Sequence, residues 1–146
     1  MSNENSIGYA GDVTPGETWS ALAGRAVLVD VRTRAEWMFV GLPDLSDLGK
    51  QVITVEWAAF PAMETNPDFV TVLGGALDKA GFERDTPIYF LCRSGARSRW
   101  AAIAMTEGGW SRCYNVGTGF EGHLDDHGHR GTTGGWKADG LPWSQS

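Results

Sequence analysis

Cysteine is scarce in this chain: Cys92 and Cys113 are the two among 146 residues. That is too few for a disulfide framework and fits a reducing compartment. Long apolar runs are missing too, none approaching the ~18 residues of a membrane span, so no membrane partner is expected. Positive charge is outweighed, with 12 Lys and Arg against 18 Asp and Glu. A net charge of −6 excludes general nucleic-acid affinity, which needs a basic face to neutralise phosphates. No block of like charge, low-complexity tract or internal repeat occurs. The opening Met-Ser-Asn-Glu-Asn-Ser has neither a basic start nor an apolar core, so a cytoplasmic setting is expected rather than secretion.

What is present suits one domain with a substantial core. Seven tryptophans are expected mainly in that core or around a site. Residues 1–11 read as a flexible N-terminus and 12–146 as the domain. Thr14-Pro15-Gly16-Glu17 is a capping-box pattern with proline at the first helical position, predicting a short helix to about Leu22. The apolar run Ala26–Val31 predicts a buried strand, and Thr33 is placed to cap a short helix carrying Glu36 and Trp37. Gln51–Val55 predicts a further strand, and Asn66-Pro67 opens a helix ending near Gly81. Pro87–Leu91 reads as a strand, about Arg97 to Glu107 as a helix, and Cys113–Val116 as the last strand. This alternation predicts an α/β fold with a mostly parallel central sheet and helices on both faces. Ligand crevices in such sheets lie at the carboxyl ends of strands, where Asp30 and Cys92 both fall.

Residues 92–98 read Cys-Arg-Ser-Gly-Ala-Arg-Ser. Cys92 ends a strand, Gly95 permits a tight loop that turns N–H groups inward, and the following helix presents its positive end. Thiolates, not thiols, are nucleophiles, and this environment makes them. A helix terminus supplies at most ~2 kcal/mol toward the charged form, so backbone donors and a guanidinium must add to it. Arg93, Arg97 and Arg99 bring that charge close. The loop residues Arg93, Ser94, Gly95, Ala96 and Arg97 are therefore expected to hold a small anionic substrate beside a nucleophilic Cys92.

The same loop resembles the active-site loop of single-domain rhodanese-like sulfurtransferases. Val27-Leu-Val-Asp-Val-Arg-Thr-Arg-Ala-Glu-Trp37 resembles that family's early Asp-Val-Arg signature, and Gly135-Trp-Lys-Ala-Asp-Gly-Leu-Pro142 its C-terminal ending. The likeness runs from about Val13 to Trp143. It departs at Gly41-Leu42-Pro43-Asp44-Leu45, where many members carry Gly-His-Ile-Pro-Gly-Ala. The resemblance implies a Cys92 persulfide that carries sulfur from thiosulfate or a similar anionic donor to cyanide or a thiol, including a protein thiol. No cofactor and no metal is expected.

Around the thiol, Arg97 is expected to meet the substrate or pair with Asp30, and Arg93 to face the pocket mouth. For Asp30 and Arg32 a structural ion pair, with or without Glu36, stands beside a direct catalytic part, and Asp30 is expected to orient a loop arginine. Cys113 is expected in the core. His123, Asp125, Asp126, His127 and His129 match no zinc spacing and are expected to line the pocket opposite Cys92. Two other readings stay open. A cysteine phosphatase or arsenate reductase would need one more residue between Cys92 and the arginine, and Ser98 stands where that arginine belongs. A binding module, or a persulfide relay needing a protein partner, is the other.

Overall fold

A computed structural model of the chain describes residues 8–59 and 62–145. Five parallel strands form the central sheet in the order β1-β8-β7-β2-β4. They are β1 (Gly11–Val13), β2 (Val27–Asp30), β4 (Ile53–Thr54), β7 (Ile88–Leu91) and β8 (Cys113–Val116). Registers such as Asp30 opposite Leu91 and Phe90 opposite Asn115 bring all carboxyl ends to one edge. Four α-helices connect them: α1 (Pro15–Leu22), α2 (Arg34–Phe39), α3 (Phe69–Lys79) and α4 (Ala96–Glu107).

Strand periodicity divides the core between the two faces of the sheet. Val27, Val29, Ile88, Phe90 and Cys92 point to the side holding Phe69, Leu73 and Leu77 of α3 and Ala101, Ala102 and Met105 of α4. Leu28, Tyr89 and Leu91 point to the other side, with Leu22 of α1, Phe120 and Trp136. Both central strands are buried throughout, which is why they read as apolar runs rather than alternations, broken at the end of β2 by the buried Asp30. The tryptophans split: Trp110 and Trp136 are buried, Trp100 and Trp143 exposed.

Local signals hold at the helix starts. Thr14 and Glu17 cap α1 reciprocally, and Thr33 and Glu36 do the same for α2. α3 begins later than Asn66-Pro67 suggests, because the Asn66 side chain accepts from the Asp68 N–H in a turn before the helix.

The N-terminal boundary requires correction. Tyr9 is buried, the Ala10 N–H donates to the Cys113 carbonyl (2.8 Å), and Gly11 opens β1, so residues 8–11 belong to the packed fold. Residues 1–7 lie outside the described residues. β1 escaped detection because Gly11-Asp12-Val13 has no apolar run, and its pairing comes wholly from β8. Short antiparallel pairs were equally silent: β3 (Leu42–Pro43) with β9 (Trp143–Ser144), and β5 (Ala58–Ala59) with β6 (Glu64–Thr65). The first of these fixes the divergent Gly41–Leu45 segment. A side chain on Gly41 (φ 118°) would meet the Ser144 carbonyl at 2.8 Å.

Candidate active site

Cys92 follows β7 directly and is buried, 1% exposed. The chain after β8 clamps its backbone: Phe120 N–H donates to the Cys92 carbonyl (2.8 Å) and Glu121 N–H to the Arg93 carbonyl (2.9 Å). Gly95 then takes a left-handed conformation (φ 105°) and packs so closely on the Gly117 carbonyl that no Cβ fits. That turn aims the Gly95 N–H at Cys92 Sγ, 3.1 Å away. α4 begins at the next residue, so the N–H groups of its first turn, which no helical carbonyl can satisfy, follow directly on Gly95.

A second polar contact comes from α4. Ser98 Oγ, wholly buried, lies 3.1 Å from Cys92 Sγ and 2.5 Å from Asn115 Oδ1 on β8. Asn115 Nδ2 donates in turn to Asp12 Oδ1 (3.0 Å) and the Gly95 carbonyl (3.2 Å). Sequence reasoning did not single out Asn115 and noted Ser98 only by elimination. An amide inside an apolar strand, facing a sheet edge, was the available signal.

The arginines behave differently from one another. Arg97 makes a two-pronged pair with Glu36 (2.7 and 3.0 Å), so it pairs with α2 and not with Asp30. Burial pushes the Glu36 carboxyl up, but Arg97 and the Thr33 donors outweigh it and bring it down to about 2. Asp30 holds no loop arginine. It binds Arg32 through Nε (2.9 Å) and Nη2 (2.6 Å), both side chains fully buried. Arg32 also donates to the Gly41 carbonyl (2.6 Å) and lies over the Phe120 ring, 4.2 Å from its centre. The Asp30–Arg32 pair thus ties the end of β2 to the segment ahead of β3, without Glu36.

Arg93 is exposed and lines a cavity of about 420 Å³ with Glu36, Val40, Met63, Arg97, Glu121 and Arg130. Of the residues from the 123–130 loop only Arg130 reaches this cavity; His123, His127 and His129 do not line it. The loop is folded around Asp125, whose carboxylate accepts from the His127 and His129 N–H groups and from Thr132 Oγ1. Among the described residues no three His, Cys, Asp or Glu side chains converge as a metal-binding group. Cys113 sits in the core, where burial pushes its thiol up to about 11.

Comparison with known proteins identifies the family. The family model described as Rhodanese-like domain matches residues 14–126. The chain belongs to the rhodanese-like family. An uncharacterised protein of Rickettsia conorii is 41% identical over 118 residues, covering 81% of this chain and 82% of that one. The crystal structure of Rv0390 from M. tuberculosis is 52% identical, with a TM-score of 0.83 over 94% of this chain and 99% of that one. The polysulfide-sulfur transferase homodimer of Wolinella succinogenes shares the rhodanese-like fold, with a TM-score of 0.56 at 20% identity over 98% of this chain and 87% of that one.

Proposed function

We propose that this rhodanese-like protein is a sulfurtransferase with Cys92 as its nucleophile. The Cys92 thiolate attacks the outer sulfur of thiosulfate or a related anionic donor. The new bond is Sγ to sulfane sulfur; the donor's S–S bond breaks and sulfite leaves with its electron pair. A thiol or cyanide then attacks the outer persulfide sulfur and releases the Cys92 thiolate, giving two half-reactions of covalent catalysis. No cofactor enters either step. The setting proposed is a cytoplasmic one, where thiol acceptors are abundant.

The observation that carries this reading is the pair of contacts at Cys92 Sγ, Gly95 N–H and Ser98 Oγ, each at 3.1 Å. They hold a buried sulfur at the N-terminus of α4, while Arg93 and Arg130 supply the cations of the cavity wall not paired to Glu36. The phosphatase reading is disfavoured by the same geometry. Its arginine must be free to grip phosphate oxygens, whereas Arg97 is locked on Glu36 and Ser98 fills the next position. A relay to a protein thiol keeps one observation in its favour: Phe39 and Met38 are 74% and 50% exposed beside the cavity-lining Val40.

Steady-state thiocyanate formation from thiosulfate and cyanide tests the proposal. Cys92→Ser should abolish it and Cys113→Ser should leave it largely intact; wild-type turnover by the Cys92 variant would overturn the assignment. Polysulfide, the substrate class named for the W. succinogenes enzyme, is the second donor to compare.

A further inference from the structure

Ser98 has one hydroxyl proton and two neighbours that can take it. Asn115 cannot turn away, because its Nδ2 is held by Asp12 and the Gly95 carbonyl, and this presents Oδ1 to Ser98 at 2.5 Å. Asp12 is itself fixed by the Tyr9 hydroxyl (2.8 Å). Ser98 and Asn115 are both buried, so water does not arbitrate. When Cys92 carries its proton, the S–H donates to Ser98 Oγ and Ser98 donates to Asn115, and every group is satisfied. When the sulfur is an anion the Gly95 N–H donates to it already, and the Ser98 hydroxyl is the second donor in contact that can turn to it, leaving Asn115 Oδ1 without one.

We propose that Asn115 is a positioning residue that competes with Cys92 for the Ser98 proton, so that the Ser98 hydroxyl is a two-position rotor controlling how readily Cys92 becomes a thiolate. The inference goes beyond sulfurtransfer and draws on that reading only for its consequence in turnover. Its chemistry dictates effects of opposite sign. Losing the hydroxyl removes a donor to the anion and disfavours it. Losing the Asn115 acceptor frees the hydroxyl for the sulfur and favours the anion. A merely structural role for both residues moves reactivity one way only.

The charged groups around the pair are Asp12, with Tyr9 and Arg99 beside it, the Arg97–Glu36 and Asp30–Arg32 pairs, and Arg93. The Asn115 variants also remove a donor to Asp12 and to the Gly95 carbonyl, a loss that persists without Ser98 and is therefore separated by the double variant. The test is the pH profile of iodoacetamide alkylation in a Cys113→Ser background, where Cys92 is the sole thiol. No sulfur donor is involved, so failure here is distinct from failure of the sulfurtransferase reading. Ser98→Ala should move the profile to higher pH and slow alkylation at pH 7 by about tenfold, as for one hydrogen bond to a charged group. Ser98→Thr should restore it. Asn115→Ala should move the profile to lower pH and speed alkylation by about threefold, a part of that same hydrogen bond. In the double variant the Asn115 effect should vanish. Should Asn115→Ala not fold, Asn115→Ser, too short to reach Ser98, must show the same downward movement. A shift to higher pH in the Asn115 variants, or an Asn115 effect that persists without Ser98, overturns the proposal.

Discussion

Replacing Glu36 by Gln isolates the charge that α2 contributes to the site. Glutamine can keep the capping box with Thr33, so the helix start survives and only the ion pair with Arg97 is lost. The Glu36 carboxyl falls from 4.5 to about 2 on folding. At ~1.36 kcal/mol per unit that is roughly 3.4 kcal/mol as an upper bound. The two side chains keep 20% and 16% of their exposure, so screening reduces the figure to about 2 kcal/mol. For a domain of this size the melting temperature should fall by roughly 4–8 °C at pH 7. Because the folded value is depressed, the stabilisation is complete above the unfolded value of 4.5 and drains away as pH falls toward about 2. Urea unfolding of both proteins at pH 7 and pH 3 reads this directly: the gap should shrink to less than half. An equal gap at both pH values, or none at pH 7, refutes the electrostatic account.

Other consequences are as specific. Gly95→Ala forces a Cβ into the Gly117 carbonyl at a left-handed backbone position, which costs about 1–2 kcal/mol before the clash, so it should lower stability and abolish thiocyanate formation together. Retained activity would show that the turn is not needed. Arg93→Ala should lower kcat/KM for thiosulfate by about one to two decades, as for a lost charge-assisted hydrogen bond, while discharge to a neutral thiol changes less. Equal damage to both half-reactions would point to collapse of the loop. Arg130→Ala should raise the KM for thiosulfate with little change in kcat, and an unchanged KM would remove Arg130 from donor binding.

The parts of this protein that read clearly from sequence are those whose causes are local. Continuous apolar runs marked β2 and β7, and the Thr14–Glu17 and Thr33–Glu36 capping boxes marked two helices, because strand burial and cap chemistry depend on near neighbours. The loop around Gly95 was legible for the same reason, since its left-handed turn needs glycine. Partnerships across the fold were not. Glu36 and Arg97 stand 61 positions apart, and Asn115 and Asp12 stand 103 apart, so only the strand order reveals who meets whom. Asp30 had two kinds of partner open to it in sequence, a loop arginine or an ion pair with its neighbours, and only the fold selects Arg32, two positions on, which folds back onto it over Phe120. β1 and β3 carry too few residues for any period to show. The histidines of the 123–129 loop attracted attention by composition, yet Arg130 beside them is the residue that reaches the cavity.

The central claim is that Cys92 carries sulfur, and intact-protein mass spectrometry after thiosulfate treatment tests it most directly. The account predicts one added sulfur atom per chain, mapped to Cys92, removed by cyanide or a dithiol, present in Cys113→Ser and absent in Cys92→Ser. A protein that gains no sulfur from thiosulfate or polysulfide, or that gains it equally well without Cys92, contradicts the account.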